Sequence, residues 1–470
     1  MSSAQPTDNQ PAKEQVVSLY KAQAKIYAKS VKGLFNTWRW IFVWLTQIIY
    51  YGLPWLPWNG RQAVLFDLEA RRFYIFDLVL YPQDFIYLTG MLVISAYSLF
   101  LFTAVAGRLW CGYACPQTVY SEIFMWIERK VEGDRGERMR LDKSDFGAVK
   151  FGRKFAKQAL WIMFALWTGF TFIGYFAPIK TLFASVASLS LGPWQTFWIL
   201  FYSFATYGNA GFMREQVCKY MCPYARFQSA MFDKDTMIVT YDIERGEPRG
   251  VRTKKNQEQA LGDCVDCGQC VQVCPTGIDI RKGLQYECIG CAACIDACDA
   301  VMDKVGLPKG LVKYSTENGM ANKWTREQII RRALRPRVLI YTSILMTILA
   351  AVIISLNIRV PLRLDVIRDR GVMARIVEQG KIENVYRLQI MNASEFTQHV
   401  RLSVQGMNGV ELVTASEYDV MAAEVKSVPA RVQIPPGSAP SGQHEFQFVI
   451  ELLGDEVIRI EEDAKFMVPR

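Results

Sequence analysis

Histidine is almost missing from this sequence: His399 and His444 are its only two, and both lie near the C-terminal end. A membrane b-type haem needs axial ligands that are usually histidine, so that cofactor is all but excluded, and both histidines read as surface positions. Cysteine is absent from residues 299–470, and the twelve that exist are clustered further upstream, a poor spacing for a disulfide scaffold and a good one for metal. Nucleotide-binding loops are missing too. "GQC" and "GLQ" are not G-x-G-x-x-G, and no Walker lysine loop occurs, so the electron donor implied below is another protein or a small carrier. The first 36 residues hold Lys13, Lys21, Lys25, Lys29 and Lys32 but no apolar core of signal-peptide type. The run that begins near Thr37 has no cleavage pattern after it, and it reads as a retained helix. There is no separate basic arm either. The net charge of +9 sits beside apolar runs, which points to lipid and away from nucleic acid.

What the chain has in quantity is apolar and aromatic surface. Of 470 residues, 51 % are hydrophobic, with 27 Phe, 21 Tyr and 12 Trp, enough for two or three domains with a membrane component. Five apolar runs, at 37–56, 84–107, 159–179, 192–211 and 337–357, each approach the roughly 20 residues that an α-helix needs to cross a bilayer. The lysine and arginine bias places the N-terminus, the 108–158 loop and residues 212–336 on the cytoplasmic side and the C-terminus outside. The arginine-rich "NIRVPLRLDVIRDR" after the last run departs from that bias, which long translocated domains obey weakly. "VYSEIFMWI" (119–127) is too short for a span and reads as an interfacial amphipathic helix. The expected organisation is therefore a cytoplasmic segment 1–36, a four-helix membrane domain 37–211, a cytoplasmic segment 212–336, a fifth transmembrane helix 337–357 and an external domain 358–470.

Residues 261–298 read "LGDCVDCGQCVQVCPTGIDIRKGLQYECIGCAACIDAC". The spacing is Cys-x2-Cys-x2-Cys-x3-Cys-Pro, followed by a second Cys-x2-Cys-x2-Cys-x3-Cys. Three thiolates at two-residue gaps wrap three corners of a cubane, and the distant fourth reaches the neighbouring cluster. That assigns Cys264, Cys267, Cys270 and Cys298 to one [4Fe-4S] cluster and Cys288, Cys291, Cys294 and Cys274 to a second, in a ferredoxin module at about 255–310. Gly268, Gly277 and Gly290 relieve crowding around the sulfurs. Asp299 stands where the second run would carry a proline. A structural zinc site seldom uses three thiols at two-residue gaps in tandem.

Two further pairs, Cys111 with Cys115 and Cys218 with Cys222, each precede a proline and each follow an apolar run. If the helix persists to the proline, each i, i+4 pair shares one helix face. "GRLWCGYACPQTVYSEIFM" and "REQVCKYMCPYARFQSAMF" resemble each other, a faint internal duplication. Four thiolates related by such a repeat suit a soft ion such as Cu(I), a dithiol redox pair or a further cluster, and the bland reading is four small buried hydrophobes. Glu122, Glu128 and Glu215 nearby read as markers of the membrane interface, with tuning of a metal or a proton path as the alternative. Past residue 358, "VYRLQIMNAS", "QHVRLSVQG", "GVELVTAS", "ARVQIPPG" and "HEFQFVIEL" alternate as short strands between turn residues, the pattern of an immunoglobulin-like β-sandwich. "NAS" at 392–394 matches a glycosylation acceptor but reads better as a turn between strands. No catalytic grouping appears in this tail, and an interaction or positioning role is its default.

The two membrane-edge pairs, the eight-cysteine run and the β-rich tail, in that order, closely resemble the cytochrome c oxidase accessory protein family called CcoG or FixG. The likeness covers the chain apart from its polar first 35 residues. It implies a multi-pass protein of the bacterial inner membrane, with a periplasmic C-terminal domain, acting in assembly of the cbb3-type oxidase. It also implies reduction of Cu(II) to Cu(I), with Cys111, Cys115, Cys218 and Cys222 filling the family's membrane-edge pairs as catalytic, copper-handling residues. The implied cofactors are two [4Fe-4S] clusters and copper. The implied partners are oxidase assembly factors or copper carriers, an unidentified electron donor and membrane lipid, with a homodimer left open. A respiratory electron-transfer subunit working with quinone and a non-catalytic assembly scaffold are the rival readings.

Overall fold

Apolar runs in the N-terminal half form helices, and glycine, proline and buried charge decide where each one stops. In the computed structural model the described residues are 25–251, 261–332, 334–368, 374–453 and 458–469. Most of the expected segment 1–36, with Lys13 and Lys21, and residues 255–260 of the expected ferredoxin boundary lie outside them. The helices are α1 Leu34–Gly52, α2 Phe85–Ala106, α3 Leu109–Tyr113, α4 Pro116–Glu132, α5 Arg135–Lys143, α6 Ala148–Ile173, α7 Ile179–Ala187, α8 Pro193–Thr206 and α9 Pro223–Met231. A last long helix spans Pro336–Asn357.

Five spans were expected, and among the described residues two helices are long and apolar enough to cross a membrane, Pro82–Ala106 and Pro336–Asn357. They pack together. A Cβ at Gly90 would stand 3.0 Å from Val352, and Tyr87 hydrogen-bonds Ser355 at 3.1 Å. The other three expected runs are helical but interrupted. The 19-residue α1 carries a buried Arg39, α6 starts at Ala148 with Lys150, Arg153, Lys154 and Lys157 in its first half, and the 192–211 run splits into α8 and a π-helical turn at Tyr207–Met213. The outward faces of these helices are nevertheless apolar, with Trp44, Ile48, Met163, Trp167, Phe201 and Phe204 exposed. The expected short loop at 180–191 is largely helical, as α7.

The expected interfacial helix at 119–127 is part of the longer α4, and it is buried. Its carboxylates meet cations, most of them from other segments: Glu122 with Arg39 at 2.9 Å and with Arg129 of α4 itself at 3.0 Å, Glu128 with Arg138 at 3.0 Å and Arg214 at 2.8 Å, Glu132 with Lys154 at 3.0 Å and Lys157 at 3.1 Å. Burial opposes the charge on Glu122, yet Arg39 and Arg129 outweigh it and hold the carboxyl below its usual range. These glutamates are internal struts, not interface markers.

The C-terminal domain is a sandwich of two antiparallel sheets. One orders Glu411–Leu412, Val425–Ile434, Ile382–Asn392 and Leu362–Arg368, with Arg375–Ile376 also on Ile382–Asn392; the other orders Glu417–Val420, Gln398–Gln405, Gly442–Leu452 and Arg459–Val468. Alternate residues such as Leu388, Ile390, Phe446, Phe448 and Phe466 point inward and are fully buried. Asn392 is buried, and its amide donates to the carbonyls of Phe396, Val420 and Met421, so "NAS" is a turn. His399 is exposed and His444 half-buried.

A small three-stranded sheet, Val64–Asp67, Arg72–Ile75 and Leu78–Leu80, fills the expected 57–83 loop and packs on the sandwich through Leu65, Tyr81, Met391 and Ala393. The two apolar helices run in opposite directions, with the sandwich at one end and the cysteine-rich module at the other. At the module end Met237 N donates to Val105 O at 3.1 Å, and Arg335 donates to Ala104 O at 2.7 Å. At the sandwich end the fully buried Asp84 carboxylate holds Arg359 at 2.5 Å and Arg363 at 2.6 Å and accepts from the Tyr81 amide at 3.0 Å. Replacing Asp84 by Asn leaves two arginines without their counter-charge and is expected to cost about 3 kcal/mol. Thermal unfolding and tryptic release of the C-terminal domain both measure this. Unchanged values would show that the pairs contribute nothing.

Candidate metal centre

The cysteine-rich segment folds on a two-strand frame. Ile238–Tyr241 pairs antiparallel with Val312–Ser315, and the helix Ala293–Val305 packs beneath them. Val239, Ile280, Ile295, Met302, Leu311 and Val312 form the core against which Cys264, Cys270, Cys274, Cys288, Cys294 and Cys298 pack. The module therefore extends past both ends of the expected 255–310.

Two cavities lie inside it. One is lined by Cys264, Cys267, Cys270 and Cys298 together with Tyr241, Met302 and Leu311, and the other by Cys274, Cys288, Cys291 and Cys294; each is about 20 Å³, and Cys270 borders both. The four thiols of each expected set border one cavity, with Cys270 on the wall of both. Among the described residues no group of three or more His, Cys, Asp or Glu side chains is close enough to hold a single metal ion. Burial pushes the thiols of Cys288 and Cys298 up to about 12, so without a cation these sulfurs stay protonated, and iron coordination supplies the charge that removes the proton. The thiol sets and the apolar walls suit a four-iron cluster at each place.

The two Cys-x3-Cys-Pro pairs share one backbone device, and it is not a continuous helix. Cys111 lies in α3, which ends at Tyr113, and Cys115 is extended (φ −60°, ψ 128°) as the residue before Pro116 at the first position of α4. Cys218 lies in a π-helical turn, Val217–Met221, and Cys222 is extended (φ −80°, ψ 109°) before Pro223 of α9. The expected single helix face for each pair is replaced by a break, because proline at the first helical position disfavours a helical residue before it. The four thiols are nonetheless within electrostatic reach of one another. Burial pushes Cys111 up to about 12 and Cys218 to about 11; Cys115 and Cys218 add to the first shift, Cys115 and Cys222 to the second. Burial also raises Cys115, with Cys222 contributing. The pairs are cross-braced by Cys111 Sγ to Gln228 Oε1 at 3.4 Å and by Gln117 Nε2 to the carbonyls of Asn209 at 2.9 Å and Arg214 at 3.0 Å.

The first pair is pressed against the module. A Cβ on Gly112 would lie 2.9 Å from both Cys291 Cα and Ile289 O, so only glycine allows this approach. Cys111 packs in one apolar cluster with Cys291 and Cys294. A cavity of about 30 Å³ joins Cys218, Glu215, Gln117 and Met125 to Thr276 and Ile289, two residues that also line the Cys274/Cys288/Cys291/Cys294 cavity. Arg108, buried, donates to the carbonyls of Tyr286 and Ala225, each at 2.6 Å, and so ties α3, α9 and the second cysteine run together. Neither Gly112 nor Arg108 stands out in the sequence; only their positions beside Cys111 hinted at them.

Residues 213–317 match a family described as a 4Fe-4S dicluster domain, residues 88–132 one described as a 4Fe-4S binding domain, and residues 352–469 one described as the IG-like fold at the C-terminus of FixG. The nitrogen fixation protein FixG of Rhizobium meliloti (strain 1021) is 37% identical over 432 residues, 85% of this chain and 82% of that protein. Protein RdxA of Cereibacter sphaeroides is 38% identical over 437 residues, 90% of this chain and 92% of its own. The crystal structure of a FixG-related protein from Vibrio parahaemolyticus aligns at 28% identity and a TM-score of 0.22, covering 23% of this chain and 97% of that one.

Two substitutions test the docked geometry. Gly112→Val should alter the electron paramagnetic resonance signal of one reduced cluster and spare the other; two unchanged signals would show that the contact does not matter. Arg108→Gln removes a buried cation beside the same cavity and should lower that cluster's midpoint potential by about 60 mV, a tenfold change for one electron. An unchanged potential would remove Arg108 from the site.

Proposed function

This chain belongs to the FixG family, and on that premise we propose that it is a membrane-bound electron-transfer protein that reduces Cu(II) to Cu(I) for assembly of a cbb3-type cytochrome c oxidase. The iron–sulfur character follows from the dicluster match and the two thiol-lined cavities. In this reading Cys264, Cys267, Cys270 and Cys298 hold one [4Fe-4S] cluster, and Cys274, Cys288, Cys291 and Cys294 hold the other. The clusters supply single electrons. Cys111, Cys115, Cys218 and Cys222 hold copper, losing thiol protons to water as they bind, and their soft sulfurs favour the monovalent ion. One electron reaches one Cu(II), which becomes Cu(I).

The observation that carries this reading is the contact of the thiol pairs with the second cluster cavity, through Gly112 on Cys291 and through the shared residues Thr276 and Ile289. An ion at those thiols is within a few side chains of the cluster ligands and close to the end of α2. The outward apolar faces of α1, α6 and α8 support a multi-pass arrangement. The module and the sandwich at opposite ends of the two apolar helices support a cytoplasmic module and a periplasmic tail.

Anaerobically reconstituted protein should contain about eight iron and eight labile sulfide, as two cubanes require. Adding Cu(II) to the reduced protein should reoxidise one cluster electron per Cu(I) formed. Cys111→Ser with Cys115→Ser, and separately Cys218→Ser with Cys222→Ser, should slow that reaction by about tenfold or more, roughly 1.4 kcal/mol of barrier, with the cluster spectrum intact. Cupric reduction that ignores both double substitutions would sink the copper site. A reporter fused at Arg470 that reads cytoplasmic would sink the topology.

A further inference from the structure

The largest cavity described is an open groove of about 1490 Å³ beside the module. One wall comes from the ends of apolar helices, Leu34 and Trp38 of α1 and Ala106 and Leu109 at the α2–α3 junction. The facing wall belongs to the module and includes Tyr241, which also lines the Cys264/Cys267/Cys270/Cys298 cavity, and Tyr314, whose hydroxyl donates to Gly290 O in the second cysteine run. The groove is therefore one side chain away from the ligands of each expected cluster. Its outer rim is polar, with the ion pairs Asp242–Lys313 at 3.1 Å and Glu244–Lys323 at 2.9 Å.

We propose that this groove is where a lipid-borne hydroquinone delivers electrons. The volume exceeds the roughly 300–1,000 Å³ of an ordinary small-molecule site, so it accommodates a ring together with part of a long apolar tail. The apolar wall continues from helix ends that lead toward the bilayer, and the rim offers both donors and acceptors to two ring oxygens. Stoichiometry also fits. A hydroquinone breaks two O–H bonds to become a quinone, giving up two electrons and two protons. Two one-electron clusters take one electron each, and the protons pass to water at the rim. The inference rests on the electron-transfer reading above, not on copper as the final acceptor.

The test uses the full-length cluster-loaded protein in lipid nanodiscs without oxygen. Decyl-ubiquinol should bleach the cluster absorbance with two electrons per molecule, and an azido-quinone should label residues of the 34–38 or 312–324 segments in competition with it. Leu284→Asp puts a charge into the groove and Ala321→Trp fills it, both at exposed positions. Each should raise the quinol needed for half-maximal bleaching by about tenfold and weaken labelling to match, while dithionite bleaches wild type and variants alike. Bleaching indifferent to both substitutions overturns the proposal, as does labelling elsewhere or labelling that phospholipid but not quinol displaces. Reduction by a soluble ferredoxin with none by quinol overturns it too. Sensitivity to both substitutions with no reoxidation by Cu(II) upholds the groove and overturns the copper reading instead.

Discussion

Gly112 rests its backbone on the backbone of Ile289 and Cys291, and a single added carbon there would meet both at 2.9 Å. Much of the arrangement depends on that approach. It sets Cys111 against Cys291 and Cys294, just before the break at which Pro116 leaves Cys115 extended. Gly290, in the left-handed region at φ +66°, makes the reciprocal accommodation beside Arg108. Two segments almost two hundred residues apart in the chain are thereby held at backbone contact, with no side chain between them to slow an electron.

Holding such a contact at the edge of an apolar helix layer calls for rigid support, and α4 supplies it by charge. Each of Glu122, Glu128 and Glu132 meets cations contributed by α1, α5, α6 or the turn after α8. Buried pairs of this kind gain little over apolar packing, but losing one partner leaves a bare charge, so they penalise any alternative placement of the elements that bear them. Asp296 acts similarly at the base of α1, accepting the amides of Phe35 at 3.2 Å and Asn36 at 2.7 Å while Gly33 makes room for its carboxylate. The module is fastened by polar bonds to the start of α1, the end of α2 and Arg108 at the start of α3.

What the sequence makes legible and what it hides follow from the range of the forces involved. Cysteine spacing is a local property, and each set of four it predicts borders one cavity, Cys270 bordering both. Strand alternation is local too, and most of the sandwich is visible in it, although Arg459–Val468 alternates charged with apolar residues too unevenly to stand out. The helical runs were visible, their integrity was not. Arg39 looks like an eroded end and is instead paired inside the fold with Glu122, and nothing in "FYSFATYGNAGFM" announces a π-helical turn. Glu122 and Glu128 looked like interface markers because their partners lie in other segments. The 57–83 sheet was missed because its strands are three or four residues long and gain their core from the distant sandwich.

The two cysteine pairs are alike in backbone and unlike in surroundings, and the difference bears on how a soluble ion would be reduced there. Between the first two cysteines stands Gly112, flat against the cluster segment; the matching place in the second pair holds Lys219 in a π-helical turn, a geometry common at functional sites. The first pair therefore faces the cluster side, while the second borders the small cavity with Glu215, Gln117 and Arg214. In the proposed copper reading, an ion shared by the pairs would take sulfur from the first pair on the cluster side and sulfur from the second beside that small cavity. The first pair, fixed by backbone contact, would then give the short electron path, and the second, on its π-helical turn, would be the side from which the reduced ion leaves.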